Sequence, residues 1–543
     1  MPSSGSPTPW SYVLIRLLFR FVLKIFYGSI VVEGTEHIPR TGTPCIVCAN
    51  HSNSLTDALL LVTSIPSKER NMLRLTAKAT QFGHRTFTSW LIESAGTVPI
   101  KRRKDYADGS ADNTDVMEKL KEALELGDAV CLFPEGMSRY HPTIAPLKTG
   151  VARLISDVLT RNRNNPDFEI SLLTCSVTYM HRQHFRSDVL VTFHPPMTFS
   201  PKNNPELLAP IDYTNVRLLT ARMHEQISSG TIDAPSWDLV RVGKLAGRIY
   251  APLGTRMSLG DHVRVGRTFI EAFKAAGDAD GDRTEEEEEK TTAVEIAELT
   301  QLRADLRTYQ DQLARWGIKD DRIRRPLPRH TILSRMVVRF TWSFFLFSIS
   351  IPGLMLWIPI GATTFYAVHN FKKAILESHI SQTGPIFDTW DEIAQYKLIY
   401  GLISGLCVWF GVAVVTFPFT ALTFFLVPAL MWMTLRWLED AVAAFRAFTA
   451  LLRLLLVGKP TLRNMHTRRE DLHARVMRLA VQTLGLPEDP EAYFVRHGGR
   501  EKGRVRGRWE SGSRYFSIKR RRKRDWNETL RLYDVVDYPK DEE

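Results

Sequence analysis

CIVCANHSNSLTD, residues 45–57, joins an apolar run to a polar turn and then to a helical pattern. The run CIVCA at 45–49 is typical of a buried strand. Ser54-Leu55-Thr56-Asp57 is a capping-box pattern, which predicts a helix with Ser54 at its N-cap. A strand followed by a tight turn and a helix predicts an α/β fold.

The same alternation continues on the carboxyl side of this stretch. Further β-rich runs are AVCLF at 129–133, ISLLTCSV at 170–177 and VLVTF at 189–193, with a helical pattern at 116–126. We therefore predict one α/β domain over residues 31–250.

The first thirty residues predict a different element. Residues 9–31 are apolar, but Arg16, Arg20 and Lys24 lie four apart inside the run, and no small-residue cleavage site follows. This excludes a signal peptide. It predicts an amphipathic interfacial helix within residues 1–30 whose cationic stripe faces lipid phosphates.

Beyond the α/β domain the composition changes three times. Residues 251–335 predict a linker region, acidic at 277–290 (GDADGDRTEEEEEK) and helical after it. Residues 336–457 predict a transmembrane region with uncharged stretches at 340–367 and 398–435. The second stretch fits either a tight hairpin or one span with an interfacial extension. Residues 458–543 predict a basic cytosolic tail.

Charge indicates the partners and the orientation. The 543 residues carry a formal net charge of +12, which favours anionic partners such as phospholipid headgroups. Arginines between 322 and 339, and basic residues from Arg436 onward, place both outer flanks in the cytosol by the positive-inside rule. The tail run KRRRKR at 519–524 fits nucleic acid or nuclear import, but beside membrane spans an anionic bilayer is the better interpretation.

Metal sites are disfavoured by the spacing of the candidate ligands. The chain has five cysteines, and Cys45-x-x-Cys48 before His51 has no second pair of ligands at zinc spacing. The acidic segment mimics a calcium loop, but Arg283 stands where the loop needs Gly. We expect reduced thiols and no metal.

His51 and Asp57 are the first candidate catalytic residues. A His at the exit of a buried strand can face a cleft, and a nearby carboxylate can hold its tautomer and stabilise the imidazolium. Residues six apart do not share a helical face, so the pair can meet only across the strand-to-helix turn. Asp57 as a helix-cap residue alone is the alternative interpretation.

Two later blocks supply candidate binding residues. GTVPIKR at 96–102 continues with Arg103 and Lys104, and its cations suit a phosphate, although a basic cluster is usually a solvated face. FPEGMS at 133–138 is a rigid loop in which Glu135 can accept hydrogen bonds from substrate hydroxyls. An ordinary turn at a strand end is the alternative for this block.

The three blocks, in this order, resemble the glycerolipid acyltransferase superfamily, with its NHxxxxD-type, GxxxIxR-type and FPEG motifs. Five residues separate His51 from Asp57, the longer spacing of the yeast-like branch. Leu147-Lys148-Thr149-Gly150, FRSDV at 185–189 and the paired apolar segments are also similar to the fungal-type endoplasmic-reticulum enzymes that acylate glycerol 3-phosphate or dihydroxyacetone phosphate.

This resemblance implies both the fold and the reaction. The fold is an α/β acyltransferase domain, a mixed sheet flanked by helices, followed by a C-terminal α-helical transmembrane region. The reaction transfers a fatty acyl group from acyl-CoA, a co-substrate, to the sn-1 hydroxyl without a cofactor or a metal. His51 would be the base and Asp57 its partner. Candidate substrate-binding residues are Arg102, Glu135, Gly136, Ser138, Lys101 and Lys148.

The location and the rival functions follow from the same resemblance. We expect a multi-pass protein of the endoplasmic-reticulum membrane with its catalytic domain in the cytosol, and no nucleic-acid partner. The nearest rival is an acyltransferase that uses lysophosphatidate. A non-catalytic lipid-binding scaffold would be expected to have lost His51 or Arg102. A channel or transporter would carry charges inside its apolar stretches, and 340–367 and 398–435 have none.

Overall fold

The computed structural model describes residues 5–498 except 80, 81, 84, 86, 102–112, 140, 182–186, 253, 254, 279–289, 325–327 and 381–392. Its contacts divide the chain into two compact units. Among the described residues the first contains 5–233 and the short segment 393–395, and the second contains the rest from Ala234 onward. The acidic segment at 279–289 and the basic tail from residue 499 lie outside the described residues.

The first unit alternates strands and helices. Its strands are β1 (Ser29–Glu33), β2 (Cys45–Ala49), β3 (Leu73–Arg74), β4 (Thr76–Lys78), β5 (Val98–Ile100), β6 (Ala129–Leu132), β7 (Ile170–Tyr179), β8 (Asp188–Phe193) and β9 (Met197–Phe199). Its helices are α1 (Trp10–Phe26), α2 (Leu55–Ser64), α3 (Phe87–Ser94), α4 (Thr114–Glu125), α5 (Gly150–Arg161) and α6 (Tyr213–Ser228).

Seven of these strands form one mixed sheet. The order is β1-β8-β7-β2-β6-β3, with β9 on β7. The pairs of β2 with β6 and β7 are parallel, whereas β7 and β8 are antiparallel. Strands β4 and β5 form a separate parallel pair. The predicted mixed sheet flanked by helices is confirmed.

The predicted strands are the buried centre of this sheet. β2, β6 and β7 are almost wholly buried because central strands are covered on both faces of the sheet. β2 and β6 are apolar, whereas β7 also contains buried hydroxyl residues, Ser171, Thr174, Ser176 and Thr178. On one side Ile46, Val130 and Leu172 pack with side chains of α4, α5 and α6. The strands that the sequence patterns did not indicate, β1, β3, β4 and β9, have at most five residues each.

The face of α1 differs from the prediction. Arg16 Nη2 donates to Ile65 O and Nη1 to Asn71 O, so this guanidinium turns into the unit and not towards lipid phosphates. Ile65 is the C-cap of α2, and the carbonyl end of a helix favours a cation. The prediction of one outward-facing cationic stripe is therefore wrong for Arg16.

The second unit is helical. Its described helices are α7 (Trp237–Tyr250), α8 (Leu259–Asp278), α9 (Lys290–Trp316), α10 (Asp320–Arg324), α11 (Arg329–Ile380), α12 (Ile393–Val415), α13 (Thr420–Val457), α14 (Lys459–Arg478) and α15 (Pro490–Arg496). A buried ion pair joins α10 and α14, with Arg469 Nε donating to Asp320 Oδ1 at 2.8 Å.

Three of these helices contain the uncharged stretches. α11 and α12 are long and apolar enough to cross a membrane. α13 and the helical segment after it are bent by 104° relative to each other, and they add a third span if the pair is counted as one. α11 packs antiparallel on α13, with Ser343 bonded to Ala441 O and Trp357 to Met431 O. The stretch 398–435 forms two helices joined by a turn at 416–419, with Trp409 Nε1 donating to Phe424 O.

Candidate active site

The first and third motif blocks lie at one edge of the sheet. β2 and β6 are adjacent and parallel, so their carboxyl ends lie side by side. His51 follows β2 by two residues, and Glu135 follows β6 by three. The fold thus brings together blocks that are about eighty residues apart in the chain.

His51 and Asp57 meet across the turn between β2 and α2. His51 Nδ1 lies 2.9 Å from Asp57 Oδ2. The Asp57 side chain is fully buried, whereas 17 % of the His51 side chain is exposed. The backbone N–H groups of Ser52 and Asn53 also donate to Asp57 Oδ2, at 2.9 and 2.7 Å. Asp57 therefore holds both the turn and the imidazole.

The helix begins where the capping-box pattern predicted, but the capping box does not form. Ser54 occupies the N-cap without a side-chain capping bond, and its N–H donates to Ser138 Oγ at 2.9 Å. Asp57 points back beyond the N-cap to His51, Ser52 and Asn53. The pattern located the helix start correctly and predicted the wrong hydrogen bonds.

Tyr179 is the second side chain that bonds to Asp57, after His51. It ends β7, the strand beside β2, and its hydroxyl donates to Asp57 Oδ1. Burial, and then the Asp57 carboxylate, raise the pKa of Tyr179 well above its usual value, so the phenol keeps the proton that it donates. Tyr27, 6.0 Å away between ring centroids, accepts from Asn53 Nδ2. Asp57 thus has a partner for each of its oxygens.

Glu135 binds backbone rather than solvent. Its Oε1 accepts from the His51 N–H at 2.6 Å and its Oε2 from the Ala145 N–H at 3.2 Å. Burial raises the pKa of Glu135 to about 7, although both N–H groups and nearby His51 and Arg139 oppose the shift. Glu135 therefore holds the backbone of His51 in place.

The third block contacts the His51 turn at several further points. Phe133 stacks on the imidazole with centroids 4.1 Å apart, and the Arg139 N–H donates to His51 O. Ser54 has φ +47°, a conformation that costs a non-glycine residue about 1–3 kcal/mol. The bond from its N–H to Ser138 helps to hold this conformation.

Gly136 and Lys148 also lie against each other. Lys148 N–H donates to Pro134 O, and its side chain crosses Gly136 so closely that a Cβ there would lie 2.2 Å from Nζ. Gly136 also has φ +72°. The positive φ favours glycine here, and a larger residue would displace the end of the Lys148 side chain. The predicted residue Lys148 thus presents its ammonium beside the third block.

The second block is described only in part. β5 covers Val98–Ile100, and Lys101 exchanges two backbone bonds of 2.8 Å with the Asn113 side chain. Lys101 is exposed. Arg102, Arg103 and Lys104 lie outside the described residues.

The thiols near the site are core groups. Cys45, Cys48, Cys131 and Cys175 are fully buried, and burial raises the pKa of the Cys48 thiol. Within the described ranges, no three His, Cys, Asp or Glu side chains are grouped as metal ligands would be.

The geometry suits a general base. Asp57 already accepts from two backbone N–H groups and a phenol, so its Oδ2 also acts as the acceptor towards His51, and Nδ1 carries the proton and donates. That tautomer leaves the lone pair on Nε2, which can accept a proton from a hydroxyl. The stacked Phe133 fixes the ring plane. The site can therefore activate an alcohol.

Tyr179 contributes to this site although it lies outside the sequence motifs, whereas Asn53 and Phe133 lie inside the motif blocks but had no role assigned to them. Tyr179 is the polar end of a strand that is otherwise buried, which was the one available signal. Its bond to Asp57 joins residues 122 positions apart. No local pattern indicates such a partner.

Two family models match the chain. An acyltransferase model matches residues 29–177, which include the sheet edge with His51, Asp57 and Glu135. The model of the glycerol-3-phosphate acyltransferase 2 C-terminal domain matches residues 242–488, within the helical unit.

Three proteins similar to this chain are from yeasts. An uncharacterised acyltransferase of Schizosaccharomyces pombe is 20% identical over 81% of this chain and 76% of its own length. Glycerol-3-phosphate O-acyltransferase 2 of Saccharomyces cerevisiae is 22% identical over 73% of this chain and 63% of its own length. Glycerol-3-phosphate O-acyltransferase 1 of the same yeast is 22% identical over 54% of this chain and 36% of its own length.

Proposed function

We propose that the chain transfers a fatty acyl group from acyl-CoA to the sn-1 hydroxyl of glycerol 3-phosphate, dihydroxyacetone phosphate or both, a reaction supported by the acyltransferase model that matches residues 29–177 and the glycerol-3-phosphate acyltransferase 2 C-terminal model that matches residues 242–488. The product from glycerol 3-phosphate is lysophosphatidate, a precursor of phospholipids and triacylglycerol. The observation that carries the proposal is the bond between His51 Nδ1 and Asp57 Oδ2.

His51 performs the proton transfers in this mechanism. Its Nε2 takes the proton of the acceptor hydroxyl while that oxygen attacks the thioester carbonyl. The carbon–sulfur bond then breaks, and the imidazolium protonates the leaving thiolate of CoA. General base catalysis of this kind typically contributes about 10²–10⁴-fold. Asp57 keeps Nδ1 protonated and stabilises the imidazolium.

The acceptor phosphate is bound by cations around the sheet edge. Lys148, held against Gly136 beside the third block, supports this assignment. Lys101 and Arg102 follow β5, and Arg102 can form a bidentate contact with a phosphate. Ser138 and Glu135 lie in the loop that borders the acceptor site, where Glu135 acts through the His51 backbone rather than by direct contact with the acceptor.

The catalytic unit faces the cytosol at the endoplasmic-reticulum membrane. Acyl-CoA is a charged donor that does not cross a bilayer unaided, and the basic flanks of the apolar helices favour the cytosolic side. In sealed microsomes, protease should reach an epitope inserted near residue 110. Protection of that epitope would overturn this orientation.

One assay tests the reaction and its nearest rival. Detergent-solubilised full-length protein is given labelled oleoyl-CoA with glycerol 3-phosphate, dihydroxyacetone phosphate or lysophosphatidate. Transfer to either of the first two supports the proposal. Transfer to lysophosphatidate alone would make the chain a 1-acylglycerol-3-phosphate acyltransferase, and transfer to none would favour a lipid-binding scaffold.

A variant series tests the phosphate contact. Arg102→Ala should raise the KM for the phosphorylated acceptor far more than the KM for acyl-CoA. Arg102→Lys should restore it only in part, because an ammonium cannot reproduce the guanidinium fork. A change confined to the acyl-CoA KM would remove Arg102 from the acceptor site.

A further inference from the structure

The outer face of α1 is an exposed row of large apolar side chains, which we name the apolar stripe. Its members are Trp10, Val13, Leu14, Leu17 and Phe21, with exposed fractions of 73, 56, 48, 67 and 57 %. Their spacing of three or four residues, with one adjacent pair, places them on one side of the helix. A soluble surface rarely carries so continuous an apolar patch without a function.

The opposite face fixes the helix to the first unit. The Tyr12 hydroxyl accepts from the Leu73 N–H at 3.0 Å, and Ser11 Oγ donates to Ser94 O at 2.7 Å. Phe19 and Leu23 are almost fully buried, and Arg16 is bonded to Ile65 O. The helix therefore cannot turn its stripe inward without losing these contacts.

We propose that the apolar stripe docks on the surface of a phospholipid bilayer, inserting its side chains among the acyl chains. α1 contains three basic residues and no acidic one, and Arg20 is exposed next to Phe21. An apolar face beside a cation, with Trp10 at one end, matches the boundary of an anionic bilayer. The same chain has two helices that are long and apolar enough to cross a membrane, so a bilayer is present next to the protein.

This docking mode keeps the interfacial helix that the sequence predicts and identifies the side chains that enter the membrane. Arg16, which was expected to face lipid phosphates, takes no part because it is bonded to Ile65 O and Asn71 O. Because α1 packs on α2, whose first turn carries Asp57, docking orients the catalytic turn relative to the membrane. A lipid product can then leave into the bilayer next to the unit that forms it.

The test uses the full-length protein in vesicles of phosphatidylcholine and phosphatidylserine. In a Cys407→Ser background, an environment-sensitive fluorophore is attached at Leu17→Cys or, as the matched control, at Lys202→Cys. Lys202 is an exposed polar position of the same unit, and the four remaining native cysteines are fully buried. The readouts are the emission wavelength and quenching by doxyl-labelled lipid.

The Leu17 probe should show blue-shifted emission and at least about twofold quenching by doxyl lipid, while the Lys202 probe stays water-exposed. Emission at Leu17 equal to that at Lys202 would overturn the proposal. So would a blue shift without lipid quenching, because protein would then cover the stripe. The readout is independent of acyl transfer, so it stands apart from the test of the reaction.

Discussion

Polar side chains are used differently in the two units of the chain. In the first, groups distant in sequence converge on one carboxylate, with Tyr179, His51 and two backbone N–H groups all bonded to Asp57. In the apolar helices of the second, most hydroxyls bond to a carbonyl three or four residues earlier, as Ser350 does to Leu346 and Thr434 to Leu430. The first arrangement creates reactivity, and the second removes polarity from an apolar surface.

The difference separates two kinds of sensitivity. Variants at the sheet edge should change turnover while the protein stays folded. Variants in the apolar helices should change stability while turnover of the folded enzyme persists. Four substitutions and one matched control test this contrast.

His51→Ala should have the largest effect. It removes the group that accepts the hydroxyl proton under this mechanism, and we expect acyl transfer to fall by roughly 10³-fold or more. Initial rates with labelled oleoyl-CoA measure it. Unfolding temperature in detergent, unchanged within about 2 °C, serves as the control for folding. Near-normal turnover by the purified variant would refute the mechanism.

Asp57→Asn should reduce turnover by about 10²–10⁴-fold and leave a measurable residue of activity. An amide can present its NH₂ to His51 Nδ1, which favours the tautomer with the proton on Nε2, the wrong nitrogen for a base. The KM for acyl-CoA should change little. If turnover were normal, Asp57 would be no more than the anchor of the turn.

How far this site could be predicted depends on the distance in sequence between its members. The central strands and the start of α2 follow from apolar runs and a turn pattern, both of which are local. Two contacts of the site are not local: the hydrogen bond from Tyr179 to Asp57 and the one from the His51 N–H to Glu135. Both form because strands that are far apart in the sequence lie next to each other in the sheet. Arg16 shows the same limit, because its spacing gave a helix face while tertiary packing decided where that face points.

Gly353→Ala should affect stability and not chemistry. A Cβ at this position of α11 would lie 1.7 Å from Thr434 Oγ1 of α13, so the two helices must separate. Overpacking typically costs about 1–3 kcal/mol. Thermal unfolding in detergent should shift down, with kcat per folded molecule retained.

Gly361→Ala is the matched control for this variant. It lies on the same helix, and nothing is within 4 Å of the Cβ it would add. Its unfolding temperature should stay equal or rise slightly, since alanine favours a helix. Equal destabilisation by both variants would show that the contact with Thr434 is not the cause.

Tyr179→Phe should have the smallest effect, a loss of about tenfold in turnover, because it removes one hydrogen bond from a buried carboxylate worth about 1–3 kcal/mol. Its diagnostic readout is the pH profile of kcat/KM. Without the hydrogen bond from the phenol, the negative charge of Asp57 is less neutralised and stabilises the protonated form of His51 more strongly. The acid limb of the kcat/KM profile should therefore move to higher pH. A purely structural role would lower the whole profile without moving that limb. An unmoved limb would therefore show that Tyr179 packs against Asp57 without tuning the base.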